Sequence, residues 1–173
     1  MDGIILINKQ KKYTSHDVVN KVKKITKSKV GHTGTLDPNA TGVLPLLLGN
    51  ATKISKYLIN HDKEYKVLLQ LGTKTDTADA EGKIIEEKDV NIDSLSEENV
   101  KKVLSTFLGK QKQMPPMYSA IKVNGKKLYQ YARQGQEVEI KPREIEIYEI
   151  KLINLDKKQK QISLVVSCSK GTY

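Results

Sequence analysis

One acidic side chain sits inside the glycine-punctuated run Gly31-His32-Thr33-Gly34-Thr35-Leu36-Asp37-Pro38-Asn39-Ala40-Thr41-Gly42-Val43-Leu44-Pro45 of a chain that is otherwise strongly basic. Of all its features this is the one best suited to act on a bound ligand. Pro38 disfavours the α region for Asp37 and removes the next backbone donor, so the carboxylate is expected on an extended kink that holds it outward. Gly31, Gly34 and Gly42 allow left-handed angles or a close approach to a bulky ligand, as a loop built around a substrate needs. Taken alone, the Asp37-Pro38 pair also reads as an ordinary turn, since such turns are common and seldom catalytic. The run lacks the Gly-Lys-Ser/Thr ending of a phosphate-binding loop. His16, His32 and His61 have no Cys or carboxylate partners at ligand spacing, which argues against zinc. The reading is therefore no metal and no nucleotide cofactor.

The elements that must position this run alternate between strands and helices, with no repeats and no low-complexity linker. Residues 4–7 form a short apolar strand. Thr14 or Ser15 caps a helix with Val18, Val19, Val22 and Ile25 on one face and lysines on the other, and that helix feeds the Asp37 loop. Asn50 caps a second helix bearing Ile54, Tyr57 and Leu58; residues 65–71 read as a buried strand and 73–82 as a polar loop. Ser94 or Ser96 begins a third helix with Val100, Val103, Leu104 and Phe107 at helical spacing, ended by Gly109. Asn124-Gly125 marks a hairpin between Ile121-Lys122-Val123 and Lys126-Lys127, with a short helix following through Tyr131. Two long strands close the chain, 143–153 and 161–167, the first slipping phase between Ile147 and Ile150 as a bulge near Tyr148 would make it do. The class is α+β with a largely antiparallel sheet.

Thirty Lys plus Arg against twenty Asp plus Glu give a formal charge of +10, which favours phosphate-rich partners through counterion release without naming one. Only Arg133 and Arg143 are arginines, so the charge suits diffuse attraction to a backbone rather than bidentate reading of bases. A chain of 173 residues is expected to form one domain with a core of its own. Cys168 is the sole cysteine, so an intramolecular disulfide is impossible and a reducing cytosol is the expected setting. The longest apolar run, 43–48, is too short to cross a bilayer, and the N-terminus has no signal-peptide layout; a soluble, cytoplasmic chain is expected.

The Asp37 run resembles the catalytic-loop motif of bacterial tRNA pseudouridine synthases of the TruB family. Further matches fall in family order: Ile7-Asn8-Lys9 with Thr14-Ser15, Gly49-Asn50-Ala51-Thr52-Lys53, Glu64-Tyr65, and Leu71-Gly72-Thr73-Lys74-Thr75-Asp76-Thr77. Then come Pro115-Pro116-Met117-Tyr118-Ser119-Ala120-Ile121-Lys122 with Gly125-Lys126-Lys127-Leu128-Tyr129, and Cys168-Ser169-Lys170-Gly171-Thr172-Tyr173, so that nearly the full length is covered. The resemblance implies the pseudouridine synthase fold, a mixed sheet flanked by helices and loops. It implies isomerisation of a uridine in the T loop of tRNA, with no cofactor, no membrane and no obligate protein partner. Asp37 then takes the catalytic role, as nucleophile or as base toward the ribose, which sequence does not decide between. Tyr65 matches a tyrosine that stacks on the flipped base, Tyr173 a second pocket tyrosine, and His32 a histidine packed against the flipped nucleotides. Residues 113–141 match an insertion that clamps the tRNA T stem-loop, with Lys122, Lys126, Lys127 and Arg133 interleaved among Tyr118, Tyr129 and Tyr131.

In the family, the run ending at Tyr173 continues into Ile-Arg, and that arginine pairs with the catalytic aspartate. The expectation is accordingly a catalytic domain over residues 1–173, incomplete at its C-terminal end, with a C-terminal RNA-binding domain absent. A rival from another class is a non-catalytic RNA-binding or tRNA-folding protein on the same scaffold, which would keep the basic segment and not need Asp37. A guide-RNA-dependent pseudouridine synthase ranks below both.

Overall fold

The computed structural model describes residues 1–173 except Ala120 and Glu137. Ala120 belongs to the run 115–122 and Glu137 to the segment 113–141, and both lie outside the described residues. The chain forms two compact units, Met1–His61 and Asp62–Tyr173.

In the first unit, β1 (Gly3–Lys9) leads into α1 (Ser15–Thr26), followed by β2 (Val30–His32) and β3 (Gly42–Leu48). The strands make an antiparallel sheet of order β1-β3-β2, with Ile7 opposite Leu44 and His32 opposite Leu46. Thr14 caps α1, its hydroxyl oxygen accepting the N–H of Asp17 at 3.1 Å while the Asp17 carboxylate accepts the Thr14 N–H at 2.9 Å. The apolar stripe of α1, Val18 and Val19 with Val22 beside them, packs on Leu44 and Leu46; Ile7, Val30 and Leu36 complete that core. The two ends of the run expected as one loop are thus strand, and 33–41 lies between β2 and β3.

Pro45 sits in the central strand of this sheet, an unusual place for a residue that cannot donate. Its carbonyl accepts the Thr33 N–H at 3.3 Å, and a strand residue's nitrogen and carbonyl point to the same side. The missing donor therefore falls on the β2 side just past His32, the last paired residue of β2, where it ends the ladder instead of interrupting it.

The second helix departs from expectation. Residues Gly49–Ile54 form a 3₁₀ turn and α2 (Ser55–Leu58) is one turn long, with Asn50 acting as a donor rather than a cap. The Asp2 carboxylate accepts the Asn50 N–H at 2.6 Å and its side-chain amide at 3.3 Å, and these bonds hold the Asp2 carboxyl below its usual range.

The second unit holds an antiparallel sheet built from β4 (Lys63–Gln70), a strand expected to be buried. A short hairpin, β5 (Thr73–Thr75) with β6 (Ile84–Glu87), takes up part of the expected polar loop. Ser96 caps α3 (Glu97–Ser105), which ends before Gly109; that glycine, at φ +88°, opens β7 (Gly109–Gln113), a strand without strong apolar alternation to announce it. Then follow β8 (Lys122–Val123) and β9 (Lys126–Lys127), joined by Asn124 and Gly125 at φ +50° and +80°, the left-handed pair a two-residue hairpin turn requires. Next are α4 (Leu128–Ala132), β10 (Arg143–Asp156) and β11 (Gln161–Cys168), in a sheet of order β4-β11-β10-β7. The β10 register shifts between Ile147 and Glu149, as the slipped alternation predicts. Val100 of α3 packs on Ile162 and Leu164 of β11, with Leu104, Ile150 and Leu152 around them. β4 is at the sheet edge and its residues are partly or fully exposed: position in the sheet, rather than composition, sets its burial. The architecture is α+β with antiparallel sheets.

Candidate active site

Asp37 lies in the connection between β2 and β3, and its side chain is exposed. The Ala40 N–H donates to the Asp37 carbonyl at 3.1 Å, closing a turn with Pro38 at the second position, where proline's fixed φ fits. Of the three glycines expected to confer freedom, Gly42 takes a positive φ, +136°. The carboxylate itself makes no hydrogen bond or ion pair with the described residues.

The backbone on either side of Asp37 is fixed. Before it, the Leu36 N–H donates to Ser15 Oγ at 2.9 Å and the Ser15 hydroxyl donates to the Leu36 carbonyl at 3.2 Å. Leu36 also packs its side chain on the core of this unit. After it, the Pro38 carbonyl accepts the Lys12 N–H at 2.8 Å and the Lys9 ammonium at 3.1 Å. Lys9 is wholly buried, and its remaining two bonds go to the carbonyls of Tyr13 at 2.7 Å and Gln10 at 3.1 Å. Three donors thus meet three carbonyl acceptors, the condition under which an ammonium tolerates burial. Sequence reasoning gave neither Lys9 nor Ser15 a role beyond matching a motif or capping a helix. A signal existed for Lys9: Ile5, Ile7 and Lys9 share one face of β1, so a lysine stands in line with the core-facing side chains.

His32 ends β2 on the same unit, and its Nδ1 is buried with no hydrogen-bond partner among the described residues. Tyr65 and Tyr173 belong to the second unit: Tyr65 lies on the edge strand β4 opposite Val166, and both rings are accessible, 39% and 50% exposed. The structure places Asp37 and His32 together in one unit, and the two tyrosines in the other.

The segment expected to grip RNA is built from β8, β9 and α4, with Leu128 as its buried anchor. Its charges lie against its rings. The Lys126 ammonium is 4.4 Å from the Tyr131 ring centre and also reaches Gln134 Oε1, while the Lys127 ammonium and the Arg133 guanidinium lie 5.5 and 5.4 Å from that of Tyr129. Lys122 and Arg133 are exposed. Among the described residues no cluster of His, Cys, Asp or Glu could hold a metal ion, and no helix is long and apolar enough to cross a membrane.

Residues 21–173 match the model of the TruB family pseudouridylate synthase N-terminal domain. The whole chain is 51% identical to tRNA pseudouridine synthase B of Oceanobacillus iheyensis, of which it covers 57%, and 51% identical to that of Caldanaerobacter subterraneus, of which it covers 60%. Its identity to the Francisella tularensis protein of the same name is 50%, over 57% of that protein. The chain thus spans less than two thirds of the length of these curated relatives. Among solved structures it is similar to one of a Cbf5-Nop10-Gar1 complex, with a TM-score of 0.69 and 29% identity over 99% of this chain and 40% of that one. It is also similar to an H/ACA RNP bound to a substrate RNA containing 2′-deoxyuridine, with a TM-score of 0.66 and 26% identity over 99% of this chain and 39% of that one. With a family match over most of its length, the chain belongs to the TruB family of pseudouridylate synthases.

Proposed function

We propose that this chain carries the catalytic site of a tRNA pseudouridine synthase that isomerises a uridine in the T loop, with Asp37 as the reacting carboxylate. The observation that supports this most is the setting of Asp37: an exposed carboxylate without partners among the described residues, on a turn whose two neighbours are each held by two hydrogen bonds. Such a group is preorganised without being neutralised, the condition for attack or proton removal on a bound substrate.

The reaction breaks the bond from ribose C1′ to N1, turns the base, and joins C1′ to C5. The C5 proton leaves and N1 gains one, so atoms and electrons balance without a redox partner or energy donor. Asp37 acts either by bonding covalently to the sugar or base, or by removing a ribose proton. The target base must leave its stack, at about a few kcal/mol, and aromatic contact with Tyr65 and Tyr173 offsets part of this while His32 packs on the extruded nucleotide. Lys122, Lys126, Lys127 and Arg133 in residues 113–141 grip the T stem-loop through its phosphates. A tRNA substrate places the protein in the cytoplasm, and this reading requires no metal, cofactor or obligate protein partner.

The test is release of tritium from tRNA labelled at uridine C5, by this chain, its Asp37→Ala variant, and a version extended beyond residue 173 with the part its relatives carry. Release that disappears in Asp37→Ala, while tRNA binding persists, supports the proposal. Absence of release by both the chain and its extension overturns it and leaves an RNA-binding or RNA-folding role.

A further inference from the structure

Gln113 is the last residue of β7, and its carboxamide is bound twice to one residue far away in sequence. Its Nε2 donates to the main-chain oxygen of Tyr173 at 2.6 Å, and its Oε1 accepts the Tyr173 N–H at 2.9 Å. One side chain thereby satisfies both main-chain groups of Tyr173, as a neighbouring strand would. The reason a side chain does this lies in the sequence. β7 ends at Gln113, and after Met114 come Pro115 and Pro116, which supply no donor, so the backbone offers no run of donors to continue a ladder beyond Met114.

The approach to Tyr173 is held at a second point. The Ser169 N–H donates to the Glu146 carbonyl at 2.8 Å, and the Glu146 N–H donates to Ser169 Oγ at 2.9 Å. The chain then turns through Gly171 at φ +77°, with the Thr172 hydroxyl donating to the Ser169 carbonyl at 3.0 Å. Gln113 is also the root of the segment 113–141, at the point where the chain leaves the sheet.

We propose that Gln113 is a positioning residue for the isomerisation: its carboxamide fixes the Tyr173 main chain, and with it the ring, to the root of the RNA-gripping segment. This rests on the proposed role of Tyr173 as a contact to the extruded base. An asparagine is one methylene too short to make both bonds. A glutamate keeps the acceptor for the Tyr173 N–H but turns the donor into a charge facing the Tyr173 oxygen.

The experiment is a double-mutant cycle in the tritium-release assay, using the chain or its extended version, whichever turns over. Gln113→Ala is expected to lower kcat roughly tenfold, with KM for tRNA little changed. In a Tyr173→Ala background the same substitution is expected to cause no further loss, because the ring it positions is gone. Gln113→Asn, which can keep one of the two bonds, should fall between wild type and Gln113→Ala, Gln113→Glu should be no better than Gln113→Ala, and an unchanged melting temperature in these variants separates loss of the bracket from a failure to fold. Gln113→Ala turning over like wild type, or losses that multiply in the double variant, overturns the proposal while leaving Tyr173 in its role. Tyr173→Ala turning over like wild type, or no turnover by any chain length, removes the underlying reading and this proposal with it.

Discussion

The Lys9 ammonium lies 3.1 Å from the carbonyl oxygen of Pro38, one residue beyond Asp37, and is sealed from solvent. The same oxygen takes the Lys12 N–H at 2.8 Å, so the turn is tied to the end of β1 by a side chain and a main chain together. Lys9→Met keeps the reach of the side chain but removes three donors and leaves three carbonyls short of a partner. It is expected to destabilise the chain by about 1–3 kcal/mol in urea unfolding. It should also lower kcat more than it raises KM for tRNA, because the turn is loosened and the RNA contacts are not. A variant as stable and as active as wild type would show that the ammonium does not hold the turn.

Thr14 and Ser15 are adjacent hydroxyls with different tasks, and substitution should separate them. Thr14 closes the capping box with Asp17, whereas Ser15 bonds both main-chain groups of Leu36. Thr14→Ala should lower the melting temperature and leave kcat unchanged in the folded chain; Ser15→Ala should lower both. The side-chain and main-chain bonds from Thr14 hold the Asp17 carboxyl below its usual range. A depressed folded value contributes stability above the unfolded pKa, about 3.9, that is lost as pH falls through the folded one. Thr14→Ala should therefore flatten the acid limb of the unfolding curve below about pH 4, followed by circular dichroism; an unchanged limb would assign that sensitivity to other carboxylates.

The basic side chains of residues 113–141 are not equivalent. The Lys126 ammonium already serves Tyr131 and Gln134, while Lys122 is exposed and its ammonium makes no hydrogen bond or ion pair among the described residues. Lys122→Gln is expected to reduce the slope of log affinity against log salt for tRNA by roughly one unit, as loss of a phosphate contact does, with little change in stability. Lys126→Gln should change the slope less and the melting temperature more. Equal slopes in wild type and Lys122→Gln would remove Lys122 from the RNA surface.

What was legible in the sequence was local. The Thr14 cap, the Asn124-Gly125 hairpin and the β10 bulge each depend on a few adjacent residues whose chemistry admits one conformation. Asp37 was legible for the same reason, since proline and glycine mark its turn. What was not legible depends on partners distant in sequence. Asn50 reads as a cap until Asp2, forty-eight positions earlier, takes its N–H as acceptor. The residues of β4 read as buried until the sheet order puts them at an edge. β2 and β3 were hidden inside a motif that drew attention to its glycines, although 43–48 was the longest apolar run in the chain. Lys9, Ser15 and Gln113 act through main-chain groups of other residues, and no spacing rule reports such a contact in advance.

Cys168 closes β11 at 1% exposure, opposite Ile147 on one side and Lys63 on the other, directly before the segment that leads to Tyr173. Burial pushes its thiol above the usual range, the Thr172 contact opposing this in part. Two results should follow. The folded chain should resist Ellman's reagent at pH 8 and react fully once unfolded in urea, since a buried protonated thiol is a poor nucleophile. Stability should also fall on the alkaline side. A raised folded value means that the native state keeps a proton the unfolded state gives up, so stability is complete below the unfolded thiol pKa, about 8.5, and declines as pH rises through it toward the folded value. Tyr148 adds a second alkaline limb, because donation to the Asp62 carboxylate at 2.9 Å raises its phenol above the usual range, but this limb begins only near the unfolded tyrosine value of about 10. Urea titrations between these two values should lose their pH dependence in Cys168→Ala and keep it in Tyr148→Phe. The reverse pattern would place the alkaline sensitivity at the Tyr148–Asp62 bond and leave the thiol without influence on folding.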